Sequence, residues 1–166
     1  MTYFSGYLLA TVMLLATSCN KDNRWAFDQI HSEQEESRST KLSHLASDPV
    51  NGIDLEFIQT QGRIKTFLNV HSTPIPPCPH QLKAALVTFI VEGESFESEG
   101  YRMEGGQRIL LSENDSERLL EALKKKQKVE ISLKGYHTTI HGNGFSEQFE
   151  KLQKPFPYPN PFHLPF

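Results

Sequence analysis

Cysteines and catalytic motifs are scarce in this chain. Only Cys19 and Cys78 occur among its 166 residues, which excludes a scaffold held together by several disulfides. The serine-hydrolase motif G-x-S-x-G, the zinc motif H-E-x-x-H and the phosphate-binding glycine loop are all missing from the sequence. Their absence argues against the common hydrolases, zinc proteases and nucleotide-binding enzymes, and we expect no cofactor.

Neither an excess of charge nor a long hydrophobic run is present. The chain has 17 Lys and Arg against 20 Asp and Glu, a net charge of -3, which argues against nucleic acid as a partner. Its apolar run at residues 7–16 is too short to span a bilayer as a helix. The length of the chain suits one domain of ordinary size.

The N-terminal residues have the pattern of a bacterial export signal. Small residues follow the apolar run, which predicts a signal peptide over residues 1–18. Residues 15–19, LATSC, resemble the lipobox of bacterial lipoproteins and imply lipidation of Cys19, with palmitate among the attached chains. Asn20 is not the aspartate associated with retention in the inner membrane, so the resemblance favours the outer membrane. A plain signal peptide, a wrongly assigned start and a buried first helix stay open.

The segment after Cys19 is polar up to residue 48. Its charges are mixed and few of its side chains are large enough for a core, which is typical of a flexible tether. We therefore expect residues 19–48 to join the lipid to a globular domain. Trp25 and Phe27 are the apolar exceptions, and they either touch the membrane interface or dock on the domain.

The globular domain is expected over residues 49–154, and it begins with a hairpin pattern. Residues 53–57 and 64–70 alternate between apolar and polar side chains, and Gln61-Gly62 between them is a turn signal. Residues 83–91 are nearly all apolar and predict a central strand buried on both faces.

Two hairpins are predicted further along the chain. A turn around Glu99-Gly100 is expected between Phe96 and Tyr101. Residues 129–140 alternate on both sides of Gly135 and predict the last pair of strands. On these strands His137 and His141 are interpreted as surface residues.

Two short helices complete the prediction. Asn114 with Glu117 has the spacing of a capping box, and Ser112 with Asp115 is an alternative start two residues earlier. The second helix is marked by three apolar residues at positions i, i+4 and i+7: Phe145, Phe149 and Leu152. Together the elements predict a mainly β fold of the α+β class, either a small antiparallel β-sandwich or a curved sheet, with six to eight strands.

A proline-rich loop at residues 71–80 carries the residues closest to a chemical site. Its prolines favour an extended course and prevent regular strand pairing. His71, Cys78 and His80 are the candidate metal ligands, because imidazole and thiolate groups bind zinc and copper. A free thiol, a disulfide between chains or a surface loop are the other interpretations of this segment.

The C-terminal segment, residues 155–166, alternates prolines with other residues. Pro155, Pro157, Pro159 and Pro161 leave the missing amides on one edge of an extended chain, while the other edge keeps its donors. The segment is expected to pack along the edge of its own domain, and a free recognition tail is the alternative. In that alternative, the candidate partner surface consists of three aromatic residues: Phe156, Tyr158 and Phe162.

Residues 118–152 resemble the C-terminal part of the invasion-associated locus B family of exported bacterial proteins. Members of that family end with a helix, a strand pair, a Gly-Phe step and a short closing helix. The matching residues are Leu120, Leu123, Lys124, Lys125, Val129, Ile131, Gly144, Phe145 and Leu152. The resemblance implies an exported, β-rich accessory protein and brings no catalytic residue with it.

These observations favour a non-enzymatic binding or scaffolding lipoprotein of the bacterial cell envelope. Its partners would be the membrane, through the lipid, and a protein of the envelope, with the domain in the periplasm or on the cell surface. The alternative is a periplasmic protein that handles metal or thiols through the Cys78/His80 loop.

The lipobox resemblance makes a direct prediction. Cells fed a palmitate analogue should label the wild-type chain, whereas Cys19→Ala should abolish labelling because no thiol remains at the cleavage site. Cys78→Ala is the matched control and should keep the label. Labelling that survives Cys19→Ala would place the anchor elsewhere.

Overall fold

A computed structural model of the chain describes residues 24–30 and 39–154. The predicted signal peptide, Cys19 and the C-terminal segment lie outside these residues. Nine strands occur among them: Trp25–Ile30 (β1), Ser39–His44 (β2), Asp54–Thr60 (β3), Arg63–Asn69 (β4), Ala84–Val91 (β5), Glu94–Arg102 (β6), Arg108–Leu110 (β7), Lys128–Leu133 (β8) and Tyr136–His141 (β9). The helices are Glu113–Lys124 (α1) and Phe145–Gln153 (α2).

The strands form one antiparallel sheet in the order β1-β2-β3-β4-β7-β6-β5-β8-β9. This confirms the mainly β, α+β class and selects the single sheet over the sandwich. The sheet is curved, because β9 comes back towards the loop between β2 and β3, where the amide of His137 donates to the carbonyl of Asn51 at 2.9 Å. His137 and His141 are exposed, as predicted.

Both helices pack on the inward face of the sheet. α2 lies over β1 and β2, and α1 contacts β4, β8 and α2. The three predicted apolar residues of α2 are all buried, and the ring of Phe145 lies 4.8 Å from Trp25 and 5.6 Å from Phe57. Each strand contributes its inward side chains to this core because successive side chains alternate between the two faces.

Helix α1 begins at the earlier of its two predicted starts. Ser112 has extended backbone and its hydroxyl accepts from the amide of Asp115 at 3.1 Å, which makes Ser112 the N-cap. Asn114 already lies inside the helix, so its predicted capping role is wrong. The carboxylate of Asp115 accepts in turn from the Ser112 hydroxyl at 2.5 Å.

The predicted tether is wrong for the residues that the structure describes between 19 and 48. β1 and β2 belong to the sheet, and Trp25 is only 6% exposed because it docks in the core. The domain therefore begins by Trp25 and not at residue 49. The sequence of β2 does not show the apolar alternation of a strand, because two of its three inward residues, Thr40 and His44, are polar and yet buried.

The predicted turn around Glu99-Gly100 is also wrong. β6 runs through both residues, and the reversal between β5 and β6 lies at Glu92-Gly93, both with positive φ. Gly100 lies inside a strand. Glycine is required there because a Cβ atom would collide with the Ile109 side chain on the neighbouring β7. A glycine required for close packing thus imitates a turn signal.

In the described part of the chain, neither helix has the length and apolar composition needed to cross a bilayer.

The buried His44 makes stability depend on pH. His44 is 5% exposed, and its ring lies 5.0 Å from the Trp25 ring. Burial first, and the nearby Arg24 second, lower the pKa of His44 from 6.5 to about 4, although Asp54 acts in the opposite direction. Because the folded-state pKa lies below the unfolded value, the unfolded chain takes up the proton first. The contribution is complete above pH 6.5 and is lost as the pH falls towards 4.

We expect the free energy of unfolding to fall by about 3 kcal/mol from this group between pH 6.5 and pH 4. Urea unfolding followed by Trp25 fluorescence at several pH values measures the slope. His44→Gln should have a shallower slope over the same range. Equal slopes in the two proteins would show that other groups cause the dependence.

Candidate functional site

The proline-rich loop follows a defined path between β4 and β5. Its first half is held against the β6–β7 turn, since the Ile75 amide donates to the Gly106 carbonyl at 2.8 Å. The Arg102 Nε atom donates to the Ile75 carbonyl at 2.6 Å. The second half turns back at Cys78, whose amide donates to the Ala84 carbonyl at 2.8 Å. The loop therefore lies beside the first residues of β5.

A gap in strand pairing lies next to this loop. β8 pairs with β5 from Val91 only as far as Thr88, and then ends at Leu133 before the tight turn to β9. On the other side of Leu86, the Cys78 amide bonds to the carbonyl of Ala84, which lies two residues before Leu86 and four before Thr88. Leu86 is thus left between the end of β8 and the loop.

The backbone of Leu86 points into this gap. The β5–β6 hairpin is closed by the pair Val91↔Glu94, so odd-numbered residues of β5 bond to β6 and even-numbered residues face β8. None of the hydrogen bonds formed by residues 24–30 and 39–154 joins the Leu86 backbone to β8 or to the loop. Leu86 consequently presents one donor and one acceptor to whatever enters the gap.

The gap opens into a groove of about 500 Å³ on the outward face of the sheet. One wall is the loop, including Pro76, Pro77 and Pro79, and the other is the end of β8 with Lys134. The floor includes the side chain of Leu86, which is 48% exposed. The prediction that residues 83–91 are buried on both faces is therefore wrong for the outward face of β5, because no second layer covers it there.

The three predicted metal ligands are not brought together. The side chain of His71 bonds through Nε2 to a residue outside the loop, the carboxylate of Asp54, at 2.8 Å. His80 bonds through Nε2 to the Glu99 carboxylate at 2.7 Å, at the groove. Cys78 also lines the groove but is 5% exposed. Within the described ranges, no group of three or more His, Cys, Asp or Glu side chains is placed to hold a metal ion.

Several residues of the groove were missed by sequence reasoning. Glu99 comes from β6, and Ser132 and Lys134 come from the end of β8, far from the loop in the sequence. No spacing relates them to Cys78 or His80. Leu86 had a detectable signal, because strand alternation puts it on the opposite face from Val87 and Ala85.

The comparisons with known proteins add no assignment to this geometry. No protein-family model, curated protein or solved structure matches the chain. The resemblances to lipoproteins and to the invasion-associated locus B family stay predictions.

Burial of Cys78 gives a test of the thiol and metal alternative. We expect a charged disulfide reagent to react with Cys78 roughly 100-fold more slowly in the folded protein than in urea, because the sulfur must first be exposed by local opening. The measurement uses the Cys19→Ala protein and the absorbance of the released thiol. Elemental analysis of the same sample reports bound metal.

Fast reaction in the folded protein would show an accessible thiol and favour the thiol-handling alternative. Zinc or copper at one equivalent, lost in Cys78→Ser, would favour metal binding.

Proposed function

We propose that this protein is a lipid-anchored, non-enzymatic binding module of the bacterial cell envelope. Its groove would hold an extended segment of a partner protein while the lipid on Cys19 keeps it at the membrane. The observation that carries the proposal is the gap at Leu86, where the paired backbone of β5 is interrupted and open to the groove.

An extended segment fits this gap because it offers the missing backbone partners. One residue of the segment can accept from the Leu86 amide and donate to its carbonyl, which is how added strands are recognised at open sheet edges. The paired residue of the segment places its side chain on the same face as Leu86, and its two neighbours point to the other face. The segment would thus continue β8 for a single pair.

The walls of the groove supply apolar contact at a low entropic cost. Prolines have one fixed backbone angle, so Pro76, Pro77 and Pro79 lose little freedom when a segment packs against them. The exposed Leu86 side chain gains burial in the complex. Each Å² of apolar surface buried in the complex contributes about 25 cal/mol, and anchoring at the membrane would raise the local concentration of both partners.

Charge at the groove specifies part of the segment. Lys134 stands at the rim, and the ion pairs formed by the described residues do not include it. On the opposite side of the groove, His80 Nε2 and Glu99 Oε1 already lie 2.7 Å from each other. An acidic side chain or a terminal carboxylate in the partner would therefore find its cation at Lys134.

A peptide screen tests the proposal. The probes are eight-residue peptides with one Leu or Val, with and without a flanking Asp, titrated into the labelled Cys19→Ala protein and followed by amide NMR shifts. We expect shifts at the amides of residues 78, 80, 86 and 132–134. Leu86→Glu should weaken binding at least about tenfold, because a carboxylate replaces the apolar floor. Lys134→Glu should remove the preference for the acidic peptides.

Val50→Glu is the matched control, because Val50 is similarly exposed at 54% and lies in the turn between β2 and β3. It should bind as the Cys19→Ala protein does. Shifts that spare the groove, or equal affinity in Leu86→Glu, would refute the proposed site.

A further inference from the structure

β1 is the end of the sheet within the described residues, and its backbone groups can be placed by alternation. The β3–β4 hairpin closes at the pair Thr60↔Arg63, so even-numbered residues of β3 bond to β4 and odd-numbered residues bond to β2. In the β2–β3 register, the even-numbered residues of β2 therefore bond to β3, and its odd-numbered residues bond to β1. In the β1–β2 register, the backbone groups of Phe27 and Gln29 then face away from β2. None of the hydrogen bonds formed by residues 24–30 and 39–154 uses their backbone groups.

The chain leaves α2 close to this edge. The Thr40 hydroxyl donates to the Leu152 carbonyl at 3.3 Å, and Thr40 is the β2 partner of Gln29. After α2 and Lys154, 12 residues remain, 155–166. In extended form they span roughly 40 Å, whereas six residues of β1 span roughly 20 Å. The length allows the chain to descend from the helix layer and then run back along β1.

The sequence of the C-terminal segment matches such an edge. Pro155, Pro157, Pro159 and Pro161 alternate with residues that keep their amides. In an extended chain, all four amide-lacking residues face one side, and the others face the opposite side. Phe27 and Gln29 offer partners at the same two-residue period.

We propose that the C-terminal segment pairs antiparallel with β1 as a tenth strand, its non-proline residues bonding to Phe27 and Gln29 and its prolines facing outwards. Cross-strand partners share a face, and Phe27 points inwards, where it is partly buried against the core. Phe156 and Tyr158 would therefore extend the core at its rim. The prolines give the new edge no donors, which ends the sheet and prevents pairing with a further chain.

Amide hydrogen exchange measured by NMR on the Cys19→Ala protein tests this pairing. We expect the Phe27 and Gln29 amides to exchange at least about tenfold faster after truncation at residue 154, because their acceptors are removed. The amides of Ala26 and Asp28 bond to β2 and should change less.

A matched pair of variants separates pairing from aromatic packing. The double variant Tyr158→Pro, Asn160→Pro replaces two amides on the bonding side with proline rings, which keep the segment from lying against β1, and it should exchange like the truncated protein. The double variant Tyr158→Ala, Asn160→Ala leaves the bonding side free of proline rings, so the segment's carbonyls stay in reach and most of the protection at Phe27 and Gln29 should remain.

Two outcomes would overturn the proposal. Unchanged exchange at Phe27 and Gln29 after truncation would show that the segment does not cover β1. Protection that disappears on dilution would assign the edge to a second copy of the chain. The proposed peptide-binding groove lies at β5 and β8, near the opposite end of the strand order from β1. Peptide titrations at the groove should therefore give the same result with and without residues 155–166.

Discussion

Burial of the inward face of the sheet under α1 and α2 is the constraint on which the rest of the structure depends. A single antiparallel sheet leaves one face apolar, and it is stable only when another layer covers that face. The rings of Phe145, Phe57 and Trp25 supply the contact, and a fully buried phenylalanine side chain contributes about 1.5–3 kcal/mol. This contact also ties β1 to α2, the element that follows the other edge strand.

Because both helices pack on the inward face of the sheet, no second layer of the described residues covers its outward face. The proline-rich loop covers part of it, and the exposed side chain of Leu86 marks where the cover stops. The strand pairing of β8 ends at the same place. The groove is thus a consequence of the fold, because β8 stops pairing at Thr88 and the loop bonds to β5 only at Ala84, which leaves Leu86 between them.

Local patterns predicted much of the fold. The hairpin around Gln61-Gly62 and the α2 stripe depend on neighbours in the sequence, and both are present in the structure. Prediction was wrong where a distant contact decided the outcome. Gly100 faces Ile109 on another strand, and β1 is held by a helix more than a hundred residues away. Of the groove, the loop was found and the strand residues opposite it were not.

The sequence by itself determined the class of fold, the alternation of the strands and the start of α1 to within two residues. Only the tertiary structure decided that β1 and β2 join the sheet, that His71 bonds to Asp54 away from the groove, and that Leu86 faces a gap. The reason is physical. Periodicity and capping arise between residues close in the chain, whereas sheet order and cavities arise from which distant surfaces bury each other.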